Sequence, residues 1–138
     1  FARSIARGIA RARKAKGLST TFQLVGIIKQ AVPLWYQRKK IHPATKTFQA
    51  LRIAVNDEYE QIRRGLEAGI KIVSYGGRLV VISFHSGEDR IVKHTFQDFK
   101  KSEKGTILTK KPITPSRQEA IINPRARSAK LRVFQKSL

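Results

Sequence analysis

At 138 residues the chain is the size of one modest domain, and it has no cysteine for a disulfide, a thiolate metal site or a cysteine nucleophile. It carries 29 Lys and Arg against 9 Asp and Glu, a formal net charge of +20. There is no apolar run of about 18 residues to form a helical membrane span, and the opening residues lack a signal-peptide pattern. The charge is also one-sided, since residues 1–56 contain no acid at all and Asp57 is the first. Such a balance points to a polyanion, nucleic acid ahead of a membrane surface. The chain opens on Phe1 and contains no Met, which reads as an internal piece of a longer chain. The absence of Cys agrees with a cytoplasmic location.

In chain order, residues 1–16 read as a helix with Phe1, Ile5 and Ile9 on its apolar side and Arg3, Arg7 and Arg11 as a cationic stripe. The stripe suits either RNA or solvent, and Gly17 is a suitable stop. Thr20 and Gln23 form a capping box for a second helix ending before Pro33, with Phe22, Val25, Ile28 and Val32 as its buried side. These helices make an αα-hairpin. Trp35 and Tyr36 then stand beside Arg38, Lys39 and Lys40, a mixture suited to stacking on bases and holding phosphates, or to a hydrophobic anchor followed by a basic loop.

From His42-Pro43-Ala44 a helix is expected to run to about Ser74, with Phe48, Leu51, Ile53, Val55, Ile62, Leu66 and Ile70 inward and a bend near Gly65 or Gly69. Gln49, Arg52, Asn56 and Asp57 share one side of it. After Gly76-Gly77, the apolar run Leu79–Ser83 reads as a strand buried on both faces of a parallel sheet. Beyond Phe84 lies a cluster able to bond or titrate: His85, Ser86, Glu88, Asp89 and Arg90. Ligands bind past the carboxyl ends of strands in open α/β sheets, so this is the candidate site. Ser86 would cap the next helix, whose inward residues are Ile91, Val92, Thr95, Phe96 and Phe99. A short strand at 106–109, a helical turn at 116–122 ended by Asn123-Pro124, and a last strand at 129–135 alternating Leu131 and Val133 against basic residues complete the chain. Three strands are too few for a free-standing doubly wound sheet, and an orphaned edge invites self-pairing, which leaves a homodimer open.

Three blocks carry a resemblance: His42-Pro43-Ala44-Thr45-Lys46-Thr47-Phe48-Gln49-Ala50-Leu51-Arg52 and on to Glu58; Gly76-Gly77-Arg78 through Phe84-His85-Ser86-Gly87-Glu88-Asp89-Arg90 to Lys93; and Asn123-Pro124-Arg125-Ala126-Arg127-Ser128 to Arg132. In this order they closely resemble the ribosomal RNA small subunit methyltransferase H family, over nearly the whole chain. The resemblance implies an S-adenosylmethionine-dependent rRNA (cytosine-N4)-methyltransferase. The implied fold class is α/β: the C-terminal half of a Rossmann-like methyltransferase domain plus part of an inserted helical domain. On that pattern residues 1–44 end the insertion, and 45–138 hold the long helix and strands five to seven. The family's glycine-rich loop, its acidic residue after strand two and its fourth-strand motif have no counterpart here. S-adenosylmethionine is therefore the cofactor of the complete enzyme, with no binding expected by this chain alone, and no metal is implied. The implied partner is small-subunit ribosomal RNA or the small ribosomal subunit. Two departures stand out. The family carries Leu where Gly87 stands and Pro where Tyr75 stands, and Gly87 is expected to loosen the following helix by up to ~1 kcal/mol.

Direct transfer to an amine needs no covalent enzyme–base intermediate, so a cysteine-free chain agrees with N4 rather than C5 chemistry. His85 and Ser86 are the catalytic candidates, as a substrate-side wall. His42, Thr45, Lys46, Thr47, Gln49, Arg52, Arg125, Arg127 and Ser128 are expected on RNA or bracing the site, together with Arg3, Arg7, Arg11, Arg38, Lys39 and Lys40. Asn56, Asp57, Glu88, Asp89, Arg90 and Asn123 are read as structural or ion-paired. A non-catalytic basic RNA-binding module in ribosome assembly is the rival reading.

Overall fold

The computed structural model describes residues 1–137 and forms two compact units, Phe1–Asn56 and Asp57–Leu138. The first is helical: α1 (Ala2–Lys16), α2 (Thr21–Gln30), α3 (Leu34–Gln37) and α4 (Thr45–Val55). Gly17 stops α1 at φ 73°, and the Thr20–Gln23 box starts α2 with both reciprocal hydrogen bonds in place. Ile5, Ile28, Val32 and Ala44 form the core, with Leu24, Val25, Tyr36 and Phe48 packed around it. Gly8 lets the hairpin close, because a Cβ there would lie 3.1 Å from the Ile27 side chain. Gln37 donates to the carbonyls of Lys29 and Val32, tying α3 to the end of α2. Phe22 is not part of this core. It is 86% exposed, and Val55 and Leu51 are 82% and 41% exposed, because periodicity identified an apolar side wider than the neighbouring helices cover.

The long helix expected from residue 45 to 74 is two helices. α4 ends at Asn56, Asp57 adopts the left-handed conformation at φ 50°, and α5 begins at Glu58. Asn and Asp tolerate that region better than other non-glycine residues, so the break falls there and not at a glycine. Gly65 and Gly69 lie inside α5 (Glu58–Ile72), and Gly69 is needed for packing: a Cβ would come 3.0 Å from Leu79. The packing division accordingly follows Asn56.

The second unit is a mixed α/β layer: α5, β1 (Arg78–Ser83), α6 (Ser86–Lys101), β2 (Gly105–Ile107), α7 (Arg117–Ile122), a 3₁₀ turn (Pro124–Ser128) and β3 (Lys130–Lys136). The sheet order is β1-β3-β2, with β3 antiparallel to both neighbours, so β1 and β2 run in the same direction. α5 and α6 cover one face. There Phe134, fully buried, packs against Phe96 and Phe99 at ring distances of 5.3 and 5.7 Å, within a core that includes Leu66, Ile70 and Val92.

Two expectations about the strands are corrected. β1 is not buried on both faces of a parallel sheet. It pairs antiparallel, with β3 alone among the described residues, and Val80 and Ile82 are 57% and 55% exposed because no described helix covers their face. In β3 the inward residues are Arg132 and Phe134, with Leu131 and Val133 on the other face. The alternation was read in the wrong phase because Leu and Val outvoted an arginine whose charge is neutralised inside.

Candidate functional site beyond the carboxyl end of β1

β1 ends at Ser83, Phe84 is exposed, and the chain turns into α6 at His85, whose φ of −142° is extended. The cap comes from His85 itself, not from Ser86. The His85 Nδ1 accepts from the backbone N–H of Gly87 at 3.1 Å and of Glu88 at 3.3 Å. Glu88 reciprocates, its Oε2 accepting from Phe84 N at 2.8 Å and His85 N at 3.2 Å. Four orphan donors at the strand–helix junction are thus satisfied by two side chains. Ser86 is the exposed first residue of the helix.

With Nδ1 committed as an acceptor, the neutral imidazole carries its proton on Nε2. That atom is buried and has no aligned hydrogen-bond partner, although Glu88 Oε1 lies 3.3 Å away. Glu58, from the first turn of α5, brings a second carboxylate, and the three groups lie within 4.8 Å of one another. A metal ion would need the Nε2 lone pair, and metal-bound histidines donate through the other nitrogen. Here the other nitrogen accepts, so the ring is already committed to the helix cap and faces the carboxylates through Nε2. Replacing His85 by Ala is expected to cost about 1 kcal/mol through loss of the cap. His85→Asn, which keeps an acceptor, should recover most of it in thermal unfolding; equal losses would rule out the cap as the source.

Tyr59 closes this site from α5. Its ring lies 6.2 Å from the His85 imidazole, and its hydroxyl occupies the space a Cβ on Gly87 would take, with Cζ only 2.9 Å from that position. Gly87 is therefore not a loose point in the helix but the gap into which Tyr59 fits. Behind the cap, Asp89 accepts from Arg132 Nε at 2.7 Å and Nη2 at 3.1 Å, and lies 3.4 Å from Lys130 Nζ. The Arg132 hydrogen bond, with the charges of Arg132 and Lys130, holds the Asp89 carboxyl below its ordinary value of 3.8 although burial pushes the other way. The internal ion pair is therefore Asp89 with β3 and not with Arg90, which is exposed.

A profile described as the MraW methylase family matches residues 1–137. The chain belongs to that family. Among curated relatives of this methylase family, the ribosomal RNA small subunit methyltransferase H of Persephonella marina is 52% identical over 99% of this chain and 46% of its own length. That of Sulfurihydrogenibium azorense is 50% identical over the same shares, and that of Leptospira interrogans 45% identical over 99% and 41%. The chain spans less than half the length of the curated relatives it matches.

In this methylase-family chain the other residues singled out from sequence fall into separate groups. Arg3, Arg7 and Arg11 are exposed along α1, and Arg38, Lys39 and Lys40 follow α3. Lys39 Nζ sits 5.0 and 5.2 Å from the Trp35 and Tyr36 ring centres, and both rings meet Phe1 edge-on. His42 accepts from Ala44 N at 3.3 Å and shapes the entry to α4, where Thr45, Lys46 and Arg52 are exposed and Thr47 and Gln49 half-buried. Asn123 caps the 3₁₀ turn by accepting from Arg125 N, leaving Arg125, Arg127 and Ser128 exposed on it. Glu58, Tyr59, Lys130 and Arg132 were missed as site residues. Only Lys130 and Arg132 carried a signal, charges in phase with Phe134 on one strand.

Proposed function

We propose that these residues are the carboxyl-terminal part of a cytoplasmic enzyme that methylates the N4 amine of a cytosine in small-subunit ribosomal RNA. The observation that carries the reading is β3, antiparallel between two strands of common direction. That arrangement supports strands five, seven and six at one edge of a Rossmann-like methyltransferase sheet, with residues 1–44 as the end of an inserted helical domain. S-adenosylmethionine supplies the methyl group in such an enzyme. The residues present do not make its pocket: Gly76 and Gly77 stand at the amino end of β1, and beyond its carboxyl end the space beside Gly87 is filled by Tyr59.

What the chain contributes is a substrate-side wall. His85 and Ser86 border the target base, with His85 fixed by its cap and its Nε2 proton held beside Glu88. The cationic residues of α1, the α3–α4 segment and the 3₁₀ turn bind RNA phosphates. Fusing to this chain the part of the Persephonella marina relative that it does not match should restore methyl transfer to cytosine N4 in small-subunit RNA. His85→Asn in that fusion should lower the rate while sparing stability. A fusion that folds and binds S-adenosylmethionine but transfers nothing would favour the non-catalytic RNA-binding alternative. For the chain alone, calorimetry should register no tight S-adenosylmethionine binding. Its RNA affinity should fall about a hundredfold between about 50 and about 200 mM salt, as expected if some five phosphates of a single strand are neutralised.

A further inference from the structure

A groove of about 190 Å³ lies between α6 and the segment that follows β2. Its floor is apolar, from Phe96 and Ile107, and its rim carries Lys93, Lys100 and Lys110. Lys93 and Lys100 are two helical turns apart on one face of α6, roughly 10 Å along the axis, and Lys110 faces them from the other wall. None of the three pairs with a carboxylate among the described residues, whereas Lys101 pairs with Asp98 and Lys130 with Asp89. Arg132, at the base, is already neutralised by Asp89. Thr109 Oγ accepts from Val133 N at 2.9 Å, which leaves its proton to donate, and Gln97 adds an amide to the lining.

Three like charges lining one groove without a counter-ion among the described residues favour an anion between them. The spacing along α6 is longer than one phosphate, and the apolar floor suits a sugar better than an inorganic ion. The groove runs along the second half of α6 beside the β2 edge of the sheet.

We propose that the groove of Lys93, Lys100 and Lys110 clamps the sugar–phosphate backbone of an RNA strand; this rests on the RNA-substrate reading above and adds a contact surface to it. The test is fluorescence anisotropy of a labelled single-stranded RNA with the whole chain. A triple variant, Lys93→Gln, Lys100→Gln and Lys110→Gln, is compared with a control of equal charge loss, Arg63→Gln, Arg64→Gln and Lys71→Gln, both checked for folding by circular dichroism. The groove variant should lose about tenfold more affinity than the control. Its salt slope should flatten by roughly 2, about 0.7 for each lost phosphate contact. Equal losses in the two triples, with RNA still bound tightly by the unsubstituted chain, would overturn the groove and leave the substrate reading intact. Displacement of RNA by millimolar inorganic phosphate at constant ionic strength, abolished in the groove triple, would make it a free-anion site and also overturn the clamp. Failure of the unsubstituted chain to bind RNA would sink the substrate reading itself.

Discussion

Replacing Arg132 by Ala is expected to destabilise the second unit by about 3 kcal/mol. The two side chains of the Asp89–Arg132 pair are 12% and 8% exposed, so removing the guanidinium strands a carboxylate with only the half-exposed Lys130 nearby. Breaking a buried pair from one side costs far more than the pair contributes, because the remaining charge is desolvated and unpaired. The pair also joins the first turn of α6 to the central strand, so the loss should appear there. Trp35 lies in the other unit, so amide exchange of β1 and β3, rather than tryptophan fluorescence, is the suitable measurement. A loss below about 1 kcal/mol would mean that water or Lys130 already serves the carboxylate. Replacing both partners, Asp89→Leu with Arg132→Met, should restore much of the stability.

The same pair predicts a pH dependence. The folded Asp89 carboxyl titrates below its ordinary value of 3.8, so the folded state holds fewer protons than the unfolded chain in that range. Its contribution is present above the ordinary value and is lost as pH falls through the lowered one. In acid titrations the unsubstituted chain should lose stability across that window, and Arg132→Ala should remove this component of the slope. An unchanged acid slope would place the titrating group elsewhere.

The second large effect is a reversal of sign at Gly87. In a helix interior Gly→Ala ordinarily stabilises by up to about 1 kcal/mol. Here the added Cβ meets the Tyr59 hydroxyl, with Cζ at 2.9 Å, and overpacking of that kind costs about 1–3 kcal/mol. Gly87→Ala is therefore expected to destabilise by about 1 kcal/mol, whereas in a Tyr59→Ala background the same change should stabilise. A double-mutant cycle measures the coupling directly. If Gly87→Ala has the same sign in both backgrounds, Tyr59 does not fill the gap.

Much of the local structure was legible in the residues. The Thr20–Gln23 box, the stop at Gly17, the helix after the β1 strand and the strand after Gly77 all depend on groups a few positions apart, and each formed. The polar cluster beyond β1 was found for the same reason, since strand, turn and cap are contiguous. Its inner arrangement was not legible. Ser86 is the commoner capping residue type, yet the extended His85 backbone brings Nδ1 onto two N–H groups, and no propensity rule ranks histidine first there.

By itself, then, the sequence determined most of the elements, the charge and the position of the polar cluster beyond β1, because caps, turns and periodicity act within one or two helical turns. The break at Asp57 escaped it. The tertiary structure alone decided which strand became central, which face of β1 was covered, and that Asp89 would pair with Arg132, 43 residues away. It also set Tyr59 against Gly87. These are choices between alternatives that are locally equivalent: a strand has two faces and a carboxylate has many cations within reach. They are resolved only when burial of Phe134 against α6 selects one register and carries Arg132 inward with it.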